Sequence, residues 1–368
     1  MDNLVLALMI LGGLVGLVVG GELLVRGASN LAAAARVPQL IIGLTVVALG
    51  TSAPELAVSV QSCYVGKTDL AVGNVVGSNL TNILLILGTA AVVAPLMVSH
   101  QLFRLDIPVM IAAAAALYAL GSDGSISRSE GITLAILMVL YLSWTVVEGK
   151  RDAKRLEEEL EVLTPQTTPS GLRAYALNLF LIVVGLVLLI GGANYLVEGC
   201  VQLATRWGVS ELVIGLTIVA IGTSLPELVV SILASLRGKR DLAVGNVVGS
   251  NVLNILAVLG LSATVAPEGV NVADQSLRFD IPLMVAVSVA CYPIFLTGKS
   301  VSRVEGIAML LLYAAYLAWL VYSFGVLNEP PGYGSLAGFL TPLVLAMVWP
   351  AVKRRRLVGS SVKASQGG

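Results

Sequence analysis

Two glutamates lie in the middle of long apolar segments, where a carboxylate is costly. Glu55 ends the sequence Gly-Thr-Ser-Ala-Pro-Glu, and Glu227 ends Gly-Thr-Ser-Leu-Pro-Glu in an equivalent segment. A charged side chain at the centre of a bilayer costs at least about 2.5 kcal/mol. Neither segment contains Lys or Arg. The sequence therefore predicts that a bound cation or proton balances the charge of these two side chains.

Glycine and proline interrupt both segments just before the glutamate. Pro54 and Pro226 have no backbone N–H, so a carbonyl group upstream of each loses its helical partner. Carbonyl groups at membrane depth are tolerated only where they line a cavity or lie inside the protein. The Ser-x-x-Glu spacing also fits a capping box at the start of a new half-helix. We expect ion coordination, with capping by Ser52 and Ser224 as a compatible second role.

A stripe of polar residues follows each glutamate on the next predicted helix. Its members recur every four residues, which places them on one helix face: Asn74, Ser78 and Asn82 in one copy, and Asn246, Ser250 and Asn254 in the other. Glycines four residues apart in the same segments allow another backbone to approach closely. Asn74 and Asn246 have a simpler alternative role as hydrogen-bonding links between helices. Asn79 and Asn251 lie off the stripe, and we interpret them as helix contacts.

The candidate site offers carboxylate, hydroxyl, amide and carbonyl oxygens, and these hard donors suit Ca²⁺ or Na⁺. Two carboxylates neutralise one Ca²⁺ and can also bind more than one Na⁺. The chain has one histidine, His100, and three cysteines that lie far apart in apolar segments, Cys63, Cys200 and Cys291. These residues indicate neither a zinc or copper site nor a disulfide framework.

The composition is that of a polytopic membrane protein. Of 368 residues, 57% are hydrophobic and only 12% are charged, and the mean hydropathy is +0.92. A soluble fold this apolar could not cover its surface with polar groups. These values exclude a disordered chain, a coiled coil and collagen. The 22 basic and 22 acidic residues give no net charge, so we expect no nucleic-acid partner.

Eleven apolar segments are long enough to cross a bilayer as helices. The first lacks a basic start and a clear cleavage site, so we interpret it as a retained helix and not as a signal peptide. Lys and Arg concentrate in the loops of one side, which predicts an outside N-terminus and a cytoplasmic C-terminus. The predicted spans are 3–26, 38–62, 70–97, 105–121, 130–147, 174–198, 210–235, 242–266, 280–297, 304–324 and 335–352.

The chain contains an internal repeat. Residues 43–59 and 215–231 are identical at 13 of 17 positions, and residues 69–84 and 241–256 at 14 of 16, with the same offset of 172 residues. Each copy has five predicted spans. Because five is odd, the second copy enters the membrane in the opposite orientation, as in many secondary transporters.

We therefore predict an all-α polytopic membrane protein with two inverted five-helix repeats and one extra C-terminal transmembrane helix. The predicted boundaries are 1–148 for the first repeat, 149–173 for a cytoplasmic linker, 174–325 for the second repeat, and 326–368 for the extra span and a basic cytoplasmic tail.

The two copies of Gly-Thr-Ser-x-Pro-Glu, each followed by Gly-Asn-Val-Val-Gly-Ser-Asn-x-x-Asn, resemble the alpha repeats of the cation/Ca²⁺ exchanger superfamily. The resemblance is nearest to its prokaryotic Na⁺/Ca²⁺ exchanger-like branch. It implies a central Ca²⁺ site formed by Glu55, Glu227 and the carbonyls of Thr51 and Thr223. It also implies that the long first and sixth spans slide across the core. The implied Na⁺ sites share those groups with Ser52, Ser224, Ser78, Ser250, Asn82 and Asn254.

The sequence departs from the family pattern at Asn254, where Na⁺/Ca²⁺ exchangers often carry aspartate. Asn82 is its counterpart in the first copy, so the paired positions hold two neutral amides and one fewer titratable group. This departure leaves the coupling ion and its stoichiometry open. The predicted span at 335–352 is a second departure, because the family core has ten spans.

We predict a plasma-membrane antiporter that exchanges Ca²⁺ for Na⁺ by alternating access, with a Ca²⁺/H⁺ or other cation/proton antiporter as the alternative. Proton-coupled relatives tend to have different glycine-rich motifs. A channel or a non-transporting scaffold is disfavoured because polar residues cluster only at the centre of the spans. No nucleophile–base set appears, so we expect neither enzymatic activity nor a cofactor. The expected partners are the transported Ca²⁺ and Na⁺ and the lipid bilayer.

Overall fold

The computed structural model of the protein is almost entirely helical. It describes residues 3–323 apart from 98, 100, 161–171, 210–213, 215–216, 219 and 297–299, with the backbone alone for 3, 152–160, 220 and 296. The predicted eleventh span at 335–352, the basic tail and the second part of the linker lie outside the described residues. Most of the start of the predicted seventh span lies outside them too.

Both repeats present their helices in the same order. The first repeat contains α1 (Asn3–Ala35), α2 (Gln39–Thr51), α3 (Ala53–Tyr64), α4 (Asp69–Val93), α5 (Leu102–Asp123) and α6 (Arg128–Leu160). The second repeat contains α7 (Leu172–Arg206), a short turn of helix (Ala220–Gly222), α8 (Leu225–Leu236), α9 (Arg240–Val265), α10 (Ser276–Phe295) and α11 (Arg303–Tyr322).

Within the described residues, eight helices are long and apolar enough to cross a membrane, and the bent pair α2–α3 makes a ninth. The α8 helix is shorter. The prediction of a polytopic helical membrane protein is confirmed. Several helices run beyond their predicted ends: α1 reaches Ala35 because its last turns are rich in alanine, the strongest helix former. The α6 helix continues to Leu160, into the first part of the predicted linker.

Both glutamate motifs lie where a helix is interrupted, as the glycine and proline pattern predicts. The α2 and α3 helices meet at Ser52 with a bend of 43°. The α8 helix begins directly after Ser224. Proline stands in the first turn of both new helices, where its missing N–H has no intrahelical partner to lose. The two glutamates therefore follow directly at the start of their half-helices.

The central helices widen to π geometry at matching points. These segments are Thr81–Leu87 in α4 and Asn254–Leu259 in α9. A π segment carries extra backbone per turn, and such segments are frequent at functional sites. Asn82 and Asn254 lie in the first turn of these segments, so each helix widens where its polar stripe ends.

Two short strand pairs connect the repeats. Strand β1 (Leu96–Met97) pairs with β4 (Ser300–Val301), and β2 (Ser125–Ile126) pairs with β3 (Val270–Asn271). Both pairings are antiparallel, and each joins a loop of the first repeat to a loop of the second. The repeats are therefore interlocked and do not form two separate bodies.

The first helices of the two repeats, α1 and α7, pack closely against each other through glycines. A Cβ atom at Gly20 would lie 2.7 Å from the backbone of Gly185 and Leu189, and one at Gly192 would lie 2.7 Å from the backbone of Leu17. Only residues without a side chain allow helices to approach this closely. The α1–α7 pair is consequently a tightly packed unit.

The α4 and α9 helices lie at the centre of the molecule, and α9 is buried along its whole length from Leu242 to Leu253. The outer helices present large apolar side chains outward instead. Leu8, Leu140 and Phe180 are 60%, 59% and 63% exposed. An apolar exterior around a core that carries the polar residues is the arrangement expected of a protein surrounded by lipid.

The α1–α7 interface predicts opposite outcomes for two glycines of the same helix. Gly20→Ala should lower stability by about 1–3 kcal/mol, because the new Cβ meets backbone atoms that cannot move aside. Gly12→Ala is the matched control, since a Cβ there meets nothing within 4 Å. The measurement is thermal unfolding of the three proteins in one detergent. Equal melting temperatures would contradict the close packing of α1 and α7.

Candidate cation-binding site

The helix interruptions bring the two glutamates into one buried site. Ser52 donates a hydrogen bond to Oε1 of Glu227 over 3.3 Å, and Ser224 donates one to Oε1 of Glu55 over 3.2 Å. Both glutamates are at most 1% exposed. Each bond joins a serine of one repeat to the glutamate of the other, so the site exists only when both repeats are in place.

The predicted capping boxes are wrong. Ser52 and Ser224 occupy the N-cap positions of α3 and α8, but neither side chain makes a capping hydrogen bond. Their hydroxyls donate across the site to the opposite glutamate instead. A hydroxyl has one proton to donate, and a hydrogen bond to a carboxylate is stronger than one between neutral groups. The serines are therefore part of the carboxylate site.

The second oxygen of each glutamate has no protein partner among the described residues. Oε2 of Glu55 and Oε2 of Glu227 are both fully buried and accept no hydrogen bond. The ion pairs of the described residues involve other side chains. An uncompensated carboxylate in a buried site costs several kcal/mol. Two such oxygens in one site form a suitable pocket for a cation with hard-oxygen preference.

The stripe serines differ between the repeats. The Ser78 hydroxyl lies 3.5 Å from Oε1 of Glu55 and adds a weak donor to that carboxylate. Its counterpart Ser250 is fully buried, and its Oγ has no partner. Ser250 therefore leaves one more buried oxygen available.

The stripe asparagines Asn74 and Asn246 link helices, which supports the simpler of the two roles considered for them. Nδ2 of Asn74 donates to the carbonyl of Glu55 over 3.1 Å and to Ser59 over 2.9 Å. Nδ2 of Asn246 donates to the carbonyl of Glu227 over 3.4 Å and to Ser231 over 3.1 Å. Each amide thereby connects a central helix to a half-helix.

Ser59 and Ser231 do not appear in the sequence-based site. Both are fully buried, and each follows its glutamate by four residues in an apolar stretch. That repeated polar position was a usable signal, because position i+4 lies on the same helix face as the glutamate.

Thr51 and Thr223 lie in the interruptions themselves. The Thr51 side chain is fully buried, and its hydroxyl lies 3.1 Å from the Val47 carbonyl and 3.2 Å from Oδ1 of Asn246. Thr223 is half-buried in the turn before Ser224. The role of the two threonine carbonyls as Ca²⁺ ligands stays a prediction.

Asn82 and Asn254 form a second buried polar group with the two asparagines outside the stripe. Nδ2 of Asn82 donates to Oδ1 of Asn251 over 3.3 Å, and Nδ2 of Asn254 donates to Oδ1 of Asn79 over 3.1 Å. Asn79 and Asn251 are thus helix contacts, as expected, but they also hold predicted ion ligands. Within the described residues, no group of three or more His, Cys, Asp or Glu side chains could hold a metal ion.

Comparison with known proteins identifies the family to which the chain belongs. The family model described as "sodium/calcium exchanger protein" matches residues 5–147 and 177–322. The chain belongs to the sodium/calcium exchanger family. The first matched region covers almost all of α1, then α2–α5 and part of α6, and the second covers most of α7 and then α8–α11. Membership identifies the protein as a multi-pass membrane transporter of the cation/Ca²⁺ antiporter class.

Relatives of this family cover almost the same length. The putative antiporter CaxA of Alkalimonas amylolytica is 39% identical over 87% of this chain and 99% of its own. The sodium/calcium exchanger MaX1 of Methanosarcina acetivorans is 33% identical over 86% of this chain and 98% of its own. The structure of the sodium/calcium exchanger from Methanococcus jannaschii superposes with a TM-score of 0.73 at 30% identity, covering 86% of this chain and 98% of that one.

The unpartnered carboxylate oxygens predict the stability of the ion-free protein. In buffer without Na⁺ or Ca²⁺, Glu227→Gln should raise the melting temperature and increase the free energy of unfolding by on the order of 1 kcal/mol, because it removes an uncompensated buried charge. Glu198→Gln, on the exposed face of α7, is the control and should change nothing. A lower melting temperature for Glu227→Gln would mean that the carboxylate is already neutralised by the protein.

Proposed function

We propose that the protein is a secondary antiporter that exchanges Ca²⁺ for Na⁺ across the plasma membrane by alternating access. The observation that carries this proposal is the pair of fully buried glutamates, one from each repeat, whose Oε2 atoms have no protein partner. Two carboxylates neutralise one Ca²⁺ or more than one Na⁺, so the two ions compete for the same charge. That competition is the basis of exchange.

The proposed ligand set has two parts. Glu55, Glu227 and the carbonyls of Thr51 and Thr223 bind Ca²⁺, which prefers several oxygen ligands with two or more carboxylates among them. Na⁺ ions use the same glutamates together with neutral oxygens. These neutral ligands are the hydroxyls of Ser52, Ser224, Ser78 and Ser250 and the amide oxygens of Asn82 and Asn254. Unpartnered buried oxygens at Ser250, Asn82 and Asn254 support this assignment.

Alternating access follows from the relation between the repeats. With five spans each, the two repeats face opposite sides of the membrane, and a site at their junction can open to either side. The α1–α7 pair is tightly packed within itself through glycines. We propose that it slides as one unit across the core formed by α3, α4, α8 and α9, exposing the glutamates first on one side and then on the other.

Na⁺ is the proposed coupling ion because proton-coupled relatives tend to have different glycine-rich motifs, and the amide at Asn254 adds no titratable group to the site. Asn254 is neutral at every physiological pH, so it presents an oxygen ligand without binding a proton. The relative MaX1 is named a sodium/calcium exchanger. Coupling to protons is the competing outcome in the test that follows.

Proteoliposomes distinguish the two coupling ions. A Na⁺ gradient without a pH gradient should drive Ca²⁺ uptake, and a pH gradient without Na⁺ should not. Glu55→Gln and Glu227→Gln should each abolish uptake, because one remaining carboxylate leaves Ca²⁺ half neutralised. Glu198→Gln should transport normally. Uptake driven by the pH gradient alone would establish the Ca²⁺/H⁺ alternative, and wild-type uptake by either site variant would refute the site.

The proposed orientation has an outside N-terminus and a cytoplasmic C-terminus. The turns that precede α4 and α9 occupy equivalent places in the repeats. Lys67 is exposed in the first turn, and Arg240 is exposed directly after the second, at the first residue of α9. In a background without the three native cysteines, Lys67→Cys should react with an impermeant maleimide from outside intact cells. Arg240→Cys should react only after the membrane is opened. Labelling of both from the same side would refute the inverted arrangement of the repeats.

A further inference from the structure

The four buried asparagines at the junction of α4 and α9 form one network across the repeats. Asn82 donates to Oδ1 of Asn251, and Asn254 donates to Oδ1 of Asn79. All four side chains are at most 2% exposed. The network is thus reciprocal: the last asparagine of each motif gives its amide hydrogen to the other repeat.

Two methionines fix which way the side-chain amides of Asn79 and Asn251 point. Nδ2 of Asn79 donates to the sulfur of Met284 over 3.5 Å and to the carbonyl of Asn251 over 3.2 Å, and Nδ2 of Asn251 donates to the sulfur of Met110 over 3.6 Å. A thioether sulfur and a carbonyl oxygen only accept hydrogen bonds. The NH₂ groups of Asn79 and Asn251 must therefore face them, and their Oδ1 atoms face Asn254 and Asn82.

The result is an oriented pair of ligands. The NH₂ groups of Asn82 and Asn254 are held by the opposite repeat, so their oxygens point away from the network. Both Oδ1 atoms are buried and have no partner among the described residues. We propose that Asn79 and Asn251 are positioning residues that keep the amide oxygens of Asn254 and Asn82 directed toward the transported cation. The inference rests on the proposed function, since it assigns a task to residues behind the ligands.

Orientation matters because an asparagine has two unlike ends. An amide rotated by half a turn presents NH₂, whose hydrogens repel a cation, in place of the oxygen that binds it. A carboxylate has two equivalent oxygens and needs no such control. A chain with asparagine at position 254 therefore needs a residue that fixes the amide, and an aspartate there would make that residue unnecessary.

A double-mutant cycle tests this dependence. Asn79→Leu should weaken Na⁺ binding on the order of tenfold, because the Asn254 amide loses the acceptor that orients it. In the Asn254→Asp background, Asn79→Leu should have almost no effect on Na⁺ binding. The measurement is the Na⁺ concentration that gives half of the maximal Na⁺-induced rise in melting temperature. Equal losses in both backgrounds would overturn the proposal, because they would reflect a packing role.

If Asn79→Leu does not fold, a pair of more conservative variants tests the same dependence. Met110→Leu conserves volume and removes the acceptor that orients Asn251. It should weaken Na⁺ binding in the wild-type background and not with Asn82→Asp, whereas Met138→Leu is the control elsewhere in the core. If wild-type protein shows no stabilisation by Na⁺ or Ca²⁺, the proposed function fails. If it does and the cycle is additive, the positioning role alone fails.

A different observation, at the edge of the core, carries a second inference. The α1 helix packs on α8, where a Cβ at Gly21 would lie 2.7 Å from Leu233 and 2.9 Å from Val229. Next to it, the Glu22 carboxylate and the Arg237 guanidinium form two contacts of 2.9 and 3.1 Å. This ion pair ties the α1–α7 unit to the core.

The repeat offset shows that the mirrored contact is not encoded. The equivalents of Gly21 and Glu22 are Ala193 and Asn194, and the equivalent of Arg237 is Val65. The structure has the same asymmetry. On α3, Ala57 and Gln61 are exposed, whereas their counterparts Val229 and Leu233 on α8 are half-buried beneath α1.

We further infer that Glu22 and Arg237 form a latch that favours the state in which α1 lies against α8. In the proposed orientation this state is closed toward the cytoplasm, because α8 ends at the cytoplasmic basic loop. Partly exposed ion pairs shift an equilibrium by about two- to fivefold and weaken as salt is added. The latch therefore biases the two states without locking either.

Cysteine accessibility tests the latch in a background free of native cysteines. Arg237→Gln should increase labelling of Leu233→Cys about two- to fivefold and decrease labelling of Gln61→Cys. Arg240→Gln, a charge removed close by, is the matched control. Installing the mirrored contact with Ala193→Gly, Asn194→Glu and Val65→Arg should shift both rates in the same direction as Arg237→Gln. Rates that respond to neither change overturn the latch, whatever the transport assays give.

Discussion

Two buried carboxylates without a protein counter-charge are the constraint on which the rest of the structure depends. Glu55 and Glu227 accept hydroxyl hydrogen bonds on one oxygen and nothing on the other. A buried carboxylate without a partner is costly, so this pair favours the binding of a cation or a proton, and the proposed function assigns that place to the transported ion.

The remaining architecture buries this pair at the junction of the two repeats. Interrupted helices bring polar backbone and serine hydroxyls to the glutamates, and the central helices α4 and α9 supply amides from both sides. Glycines let α1 and α7 pack closely against each other. The hydrogen bonds between the polar side chains of the two repeats lie in the interior, whereas α1 meets α8 at Gly21, Val229 and Leu233 with the Glu22–Arg237 ion pair beside them.

Much of this could be predicted from the sequence because the chain repeats itself. A polar residue in an apolar segment is costly, so one that recurs at the same place in both copies indicates a function. Both glutamates and the Asn and Ser stripe could be identified in this way. The inference failed where a partner lies in the other repeat. Ser52 fits a local capping box, yet its hydroxyl reaches Glu227, which no local spacing reveals. For the same reason Asn79 and Asn251 gave no sign of their contact with the stripe asparagines. The asymmetry between the two halves lies outside the near-identical motifs, where Glu22 and Arg237 have Asn194 and Val65 as their counterparts.

The bonds between repeats also set the order in which the molecule can be made. When the ribosome has completed α4, the side chains of Asn79 and Asn82 and the hydroxyl of Ser52 lie in an apolar environment with their partners still untranslated, since those partners begin at Glu227. The glycine-lined face of α1 likewise waits for α7. The first half therefore enters the membrane with polar side chains and a helix face that lack their partners, and other proteins or lipid must cover them until the second half is made. A first half that is not followed by the second would leave these side chains and the glycine-lined face of α1 without their partners.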